Sequence, residues 1–184
     1  MGLPSASMYD CISPLIDALF CCYNATILAY GQIGFEKTHI MGTNYTKGSS
    51  GGIIPRVIEN IFEKVRGTKE NTKFQISVSF IEIREIVNGG TTLAGLTGAE
   101  VTTKEEMISY SIRGSLSRAT GSTNMNTQSS HSHIIFTINL EQDIGDDILC
   151  SKFHLVDLAG SKQAKRAGSD GMHFKESNLK YYDA

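Results

Sequence analysis

Ala25-Thr26-Ile27-Leu28-Ala29-Tyr30 runs straight into Gly31-Gln32-Ile33-Gly34-Phe35-Glu36-Lys37-Thr38, and this stretch decides the fold. An apolar strand followed by the outline G-x-x-x-x-G-K-[ST] reads as a phosphate-binding loop. In such a loop consecutive backbone N–H groups cradle phosphates, the lysine reaches the β/γ oxygens, and the threonine hydroxyl meets Mg²⁺. One position breaks the pattern. Glu36 replaces the second fixed glycine, whose missing Cβ lets the backbone approach the phosphates. The carboxylate is also a like charge beside a polyanion. At ~4 Å and an effective dielectric of ~20, one such pair costs about 4 kcal/mol, roughly a thousandfold in affinity.

The 184 residues are most simply one domain, long enough to bury a sizeable core. A hydrophobic content of 40% and a charged content of 20% suit a soluble globular chain. The net charge of −2 gives no global field for nucleic acid. No apolar run approaches the ~20 residues of a membrane span, and the N-terminus lacks the pattern of a secretory signal. Cys11, Cys21, Cys22 and Cys150 show no C-x-x-C spacing, so buried free thiols in a reducing compartment are expected. Cys150 has no adjacent base to make it a nucleophile. His131 and His133 lack the two further ligands a zinc site needs.

The hydrophobic pattern places the remaining elements. Ser13 and Pro14 read as the N-cap and first position of a helix through Phe20. A short helix is expected over Lys37 to Met41, then a Gly/Ser/Thr/Asn-rich loop over Gly42 to Gly52. Ile54, Val57, Ile58, Ile61, Phe62 and Val65 recur at helical spacing. Ile76, Val78 and Phe80 alternate as in a strand. A helix is expected over Glu105 to Arg118, and strands over Ile134 to Leu140 and Lys152 to Asp157. Asp157 then stands at a carboxyl-terminal strand end. Strands running into loops before helices imply an α/β sheet with its ligand beyond the strand ends.

Two further segments join the loop: Asn126-Thr127-Gln128-Ser129-Ser130-His131-Ser132-His133 and Asp157-Leu158-Ala159-Gly160-Ser161-Lys162. With Gly52-Ile53-Ile54-Pro55-Arg56, these resemble the kinesin motor domain, whose loop reads GQTGxGKT, switch I NxxSSRSH and switch II DLAGSE, in this order. Gly114-Ser115-Leu116-Ser117-Arg118-Ala119-Thr120-Gly121-Ser122-Thr123-Asn124-Met125-Asn126 looks most like the kinesin-4 (chromokinesin-like) subfamily, in its plant branch. The resemblance implies a P-loop NTPase-like central sheet flanked by helices, here a partial motor domain over 8–184 after a disordered start at 1–7.

It also implies ATP and Mg²⁺ as cofactors, microtubules (tubulin) as partner, and a place on the cytoplasmic cytoskeleton. Gly31, Gln32, Ile33, Gly34, Lys37 and Thr38 would hold the nucleotide, with Asn126 in the surrounding network. Ser130 and Thr38 would coordinate Mg²⁺ and Asp157 would hold it through water. Ser129 would orient the attacking water, and the Gly160 N–H would sense the γ-phosphate. Hydroxyls and a carboxylate suit this hard cation, and phosphoryl transfer needs mainly positioning and charge neutralisation. The basic run Lys162-Gln163-Ala164-Lys165-Arg166 reads from charge alone as a solvated loop; by resemblance it faces tubulin.

Against the family pattern, the chain is expected to be incomplete at both ends. It begins at the helix before the loop, and it stops at Lys180 to Ala184, just inside the family's microtubule-binding helix. Phe80-Ile81-Glu82-Ile83 joins directly to Arg84-Glu85-Ile86-Val87-Asn88-Gly89-Gly90, without the YNEEVxDLL-like block between. An unpaired sheet edge and self-association would follow. The family's Arg–Glu latch between switches falls on His131 and Lys162, neither of which supplies a carboxylate. Phe35 adds bulk to the loop. An impaired ATP-driven motor domain is therefore expected, the rivals being a non-motile tubulin- or partner-binding remnant without turnover and a product with no activity of its own.

Mg²⁺-ATP should bind weakly, and Glu36→Gly should tighten it by at least tenfold, the like-charge cost being partly screened by the cation. Lys37→Ala should abolish what remains. Titration calorimetry of the three proteins checks this; equal affinities for wild type and Glu36→Gly overturn it.

Overall fold

The computed structural model describes residues 5–31, 37–42, 52–68, 72–85, 90–120, 132–160 and 180–183. Helix α1 (Ser5–Phe20) leads to strand β1 (Ala25–Ala29), the short helix α2 (Lys37–Met41) and helix α3 (Ile53–Gly67). Strands β2 (Lys73–Glu85) and β3 (Thr91–Val101), helix α4 (Lys104–Thr120), and strands β4 (Ser132–Ile144), β5 (Asp147–Asp157) and β6 (Lys180–Asp183) follow. The six strands form one mixed sheet in the order β3-β2-β4-β5-β1-β6. Only β1 and β5 are parallel; the other neighbours are antiparallel.

The register lines up the apolar alternation of β1, β2, β4 and β5 on one face. Ile27 pairs with Leu155, Leu155 with Phe136, Phe136 with Phe80, and Phe80 with Leu96. The row beside it runs Ala25, Phe153, Ile138, Val78, Ala99. Because side chains alternate with period two, a one-residue slip would turn the whole set outward. Helices cover this face. α3 buries Ile53, Ile54, Val57, Ile58 and Ile61 as a single stripe. At the end of α1 the Leu19 carbonyl accepts from Cys22 N–H at 3.1 Å, and it and the Phe20 carbonyl take side-chain donors as well. Ser151 Oγ donates to Leu19 O at 2.8 Å and Gln142 Nε2 to Phe20 O at 3.1 Å, tying α1 to β5 and β4.

Several close approaches require glycine, and two of them place helices. The loop after α2 starts and ends where Gly42 (φ +79°) meets Gly52: a Cβ on Gly52 would lie 2.3 Å from Gly42 Cα. On α4, a Cβ on Gly114 would fall 2.4 Å from the Phe80 ring, so this glycine lets the helix settle on the sheet. α4 starts with a capping box: Glu106 N–H donates to Thr103 Oγ1 (3.1 Å), and Thr103 N–H to Glu106 Oε2 (3.2 Å). Backbone and hydroxyl donors from Thr102, with Thr103 N–H, hold the Glu106 carboxyl below its ordinary range.

Several sequence expectations need correction. α1 begins at Ser5, with Pro14 inside it rather than at its start. The proline costs one hydrogen bond to the preceding turn, and the buried Ile12, Leu15, Ile16 and Leu19 hold the helix across it. The thiols are free but not buried: Cys11, Cys21 and Cys150 are exposed, because α1 turns Cys11 outward and Cys150 lies on the projecting end of the β4–β5 hairpin. Lys180–Asp183 is a strand, not the start of a helix, and it pairs antiparallel with Ala25–Leu28. Open backbone groups on that edge of β1 and the strand preference of Tyr181 and Tyr182 favour the pairing. The expected open edge at β1 is thus covered along these residues. No helix among the described residues is long and apolar enough to cross a membrane.

Gly114→Ala should destabilise the fold by ~1–3 kcal/mol through overpacking, despite alanine's better helix propensity; thermal or denaturant unfolding checks it. His154 supplies a pH dependence. Burial, then the Lys152 charge, lowers its pKa, and Nδ1 lies 2.9 Å from Thr137 Oγ1. The unfolded chain takes that proton more readily. Stability should therefore be full above the ordinary imidazole range of ~6.5 and decline below it, with His154→Gln flattening the decline in unfolding curves taken from pH 8 to 5.

Candidate functional site

Parallel pairing puts the carboxyl ends of β1 and β5 side by side, Ala29 opposite Asp157. β4 runs the other way, so it begins where β5 ends, with Ile134 opposite Asp157. Three chain segments therefore converge on one end of the sheet: the exit of β1 toward Gly31, the entry to β4, and the turn Asp157 to Gly160. This is the strand-end position where open α/β sheets place ligands.

Lys37, the first residue of α2, donates from Nζ to the Gly31 carbonyl at 2.8 Å. One ammonium thus bonds from the start of α2 back to the residue that follows β1 and Tyr30. Thr38 is the next residue of α2, which packs against β1 and β5. Asp157 is only 1% exposed. Its neighbours across the ladder, Ala29 and Ile134, offer no competing charge. Beyond it, Leu158 N–H donates to Ala29 O at 3.2 Å, carrying the β1–β5 ladder one step further. Ala159 N–H donates to His133 Nδ1, also at 3.2 Å. The turn is therefore held from both sides, by β1 and by β4, and Gly160 follows directly.

Of the residues expected from sequence, the structure brings Gly31, Lys37, Thr38, Asp157 and Gly160 to this end of the sheet. Gln32, Ile33, Gly34, Asn126, Ser129 and Ser130 lie outside the described residues, as do Glu36, His131 and Lys162. A buried carboxylate at a strand end and a lysine across a glycine-rich loop form a donor set that fits a Mg²⁺-nucleotide: oxygen for the hard cation, ammonium for the polyanion.

Two features escaped the sequence reading. His133, considered there only as half of a metal pair, is a hydrogen-bond acceptor for the 157–160 turn. Next to the site on β2, Glu82 is 1% exposed and pairs with Arg84 at 2.6 Å, a bond that raises the arginine's pKa. Glu82 stands opposite Ile134, in the same cross-strand row as Asp157. The His133 bond and the place of Glu82 opposite Ile134 depend on register between distant strands, which no local pattern announces.

The family model "Kinesin motor domain" matches residues 4–86 and 81–179. The chain is 50% identical to the kinesin-like protein KIN-4C of Arabidopsis thaliana, over 95% of its own length and 17% of that protein's. It is 46% identical to KIN-4A of Oryza sativa subsp. japonica, over 95% of itself and 22% of the relative. With the human chromosome-associated kinesin KIF4B it shares 40% identity, covering 90% of this chain and 16% of that one. A solved structure described as a fast kinesin superposes with a TM-score of 0.74 at 30% identity, over 92% of this chain and 54% of that chain. The chain thus spans about a fifth of the curated relatives' length. Those alignments run to 226 and 231 positions against 184 residues here, so the relatives carry sequence between the segments they share with it. Motifs, sheet and superposition agree: the chain belongs to the kinesin motor domain family, with KIN-4 kinesins among its relatives.

Proposed function

We propose that this chain is a nucleotide- and microtubule-binding kinesin motor segment in which ATP turnover is impaired. The observation that carries the reading is the convergence of the β1 exit, the β4 entry and the Asp157–Gly160 turn, with Lys37 bridging to Gly31. In this proposal Gly31 to Gly34, Lys37 and Thr38 bind the phosphates and Asn126 supports them. Thr38 and Ser130 bind Mg²⁺ directly and Asp157 binds it through water. Mg²⁺, when bound, supplies charge neutralisation between the phosphates. Ser129 orients water, and the turn carrying Gly160 senses the terminal phosphate. Lys162 to Arg166 face tubulin, placing the protein on the cytoplasmic microtubule cytoskeleton.

Impairment rests on three residues of the sequence. Glu36 opposes the phosphates, while His131 and Lys162 stand where the family carries an Arg–Glu latch. A second reading, a non-motile tubulin- or partner-binding remnant, draws on the same residues. Self-association through exposed apolar groups is part of the proposal: Leu93 on β3, at one end of the sheet order, and Ile148 on the β4–β5 hairpin are 71% and 69% exposed.

Phosphate release should stay at background with and without polymerised tubulin, and cosedimentation should show binding to microtubules. Clear tubulin stimulation overturns the impairment. Cosedimentation indifferent to Mg²⁺-ATP favours the remnant, and no cosedimentation removes the microtubule assignment.

A further inference from the structure

We infer that His133 is a positioning residue that sets the place of the Asp157–Gly160 turn relative to β4. The inference rests on the nucleotide reading above and assigns a device within that site. His133 is the second residue of β4, fixed in the ladder by Ile83 of β2 on one side and flanked by Ser132 and Ile134, each 1% exposed. It is thus anchored to the rigid part of the sheet. The turn is not a strand. Its first amide beyond β5, Leu158, is held by the Ala29 carbonyl, and its second, Ala159, by His133 Nδ1.

Two consecutive N–H groups fixed to two different strands hold the Asp157–Leu158 and Leu158–Ala159 peptides, and so set where the Ala159–Gly160 peptide starts. The first of these bonds ties the turn to the strand that enters the phosphate loop. The second ties it to the strand that leaves the 126–131 segment. The turn is thus bonded to both strands that flank the site, β1 and β4.

The chemistry of the bond limits what can replace it. Ala159 offers a proton, so His133 Nδ1 must be the lone-pair nitrogen, with the ring neutral and its proton on Nε2. The link is then an uncharged, directional contact. It differs in kind from an Arg–carboxylate latch, and it persists although residues 131 and 162 are His and Lys. Any movement of the turn away from β4 must break it. His133 consequently biases the turn toward the position it takes here, against β4 and beside the exit of β1. Asparagine places an acceptor oxygen near the position of Nδ1; phenylalanine keeps the ring volume without an acceptor.

The test uses amide hydrogen exchange at Ala159 in the nucleotide-free protein, together with relative affinities for Mg²⁺-ATPγS and Mg²⁺-ADP. His133→Phe should speed Ala159 exchange about three- to tenfold, the worth of one hydrogen bond. It should weaken ATPγS relative to ADP by a similar factor. His133→Asn should restore both to within about twofold of wild type. Equal exchange in the Phe and Asn variants overturns the inference, and so does an unchanged ATPγS-to-ADP preference in a His133→Phe chain that binds both. If the wild type binds neither nucleotide, the proposed function falls on that result, while the exchange arm still decides whether His133 holds the turn.

Discussion

The parallel register of β1 on β5 is the constraint on which the rest depends. It sets Ala29 opposite Asp157, so the exit toward the phosphate loop and the buried carboxylate share one end of the sheet. Shifting this pairing by one residue would move Asp157 to the other face and take Leu158 N–H away from the Ala29 carbonyl. The apolar rows hold the register in place: Ile27–Leu155–Phe136–Phe80 and Ala25–Phe153–Ile138–Val78 are buried together under α1, α3 and α4. Each large aliphatic or aromatic residue in those rows contributes ~1.5–3 kcal/mol when removed from water. The geometry of the polar site is thus secured by apolar packing a few ångströms away.

The charged contacts outside that core have a lesser role. Lys104 meets Glu59 at 2.7 Å between α4 and α3, and Lys64 meets Asp17 between α3 and α1. Both pairs are partly or largely exposed, where screening reduces such bonds to ~0–1 kcal/mol. They orient helices already placed by Ile12, Leu19, Val57 and Ile61. Glu82 with Arg84 differs, since a carboxylate taken out of water depends on its partner.

Much of the fold was legible in the sequence. The Ile54 to Val65 spacing gave α3, the alternation about Val78 gave β2, and the β-branched run after Ile134 gave β4. β3 was missed because Thr91 to Val101 holds two glycines and shows no alternation, its residues through Gly98 being exposed. β6 was missed because four residues acquire strand geometry only from the β1 edge they meet. Of the site, the motifs gave Lys37 and Asp157 their places at strand and loop ends. The hold of His133 on Ala159 was invisible, because it links residues 26 apart through a register that sequence does not display.

The family model's double use of residues 81–86 carries a consequence for how such a chain can arise. One stretch answers both to the end of one family segment and to the start of the next. In the folded chain residues 81–85 lie within β2, bonded to β4 on one side and β3 on the other. Loss of an intervening block is then subject to a parity rule. An alternating strand tolerates a junction that keeps inward residues inward, as Phe80, Glu82 and Arg84 keep one phase across this one. A junction differing by a single residue would put Glu82 and Arg84 out of phase with Phe80 in the β4 ladder, unless a bulge such as the one β3 makes opposite Val78 and Phe80 absorbed it. Shortenings of this fold are therefore filtered by strand phase, before any question of catalysis arises.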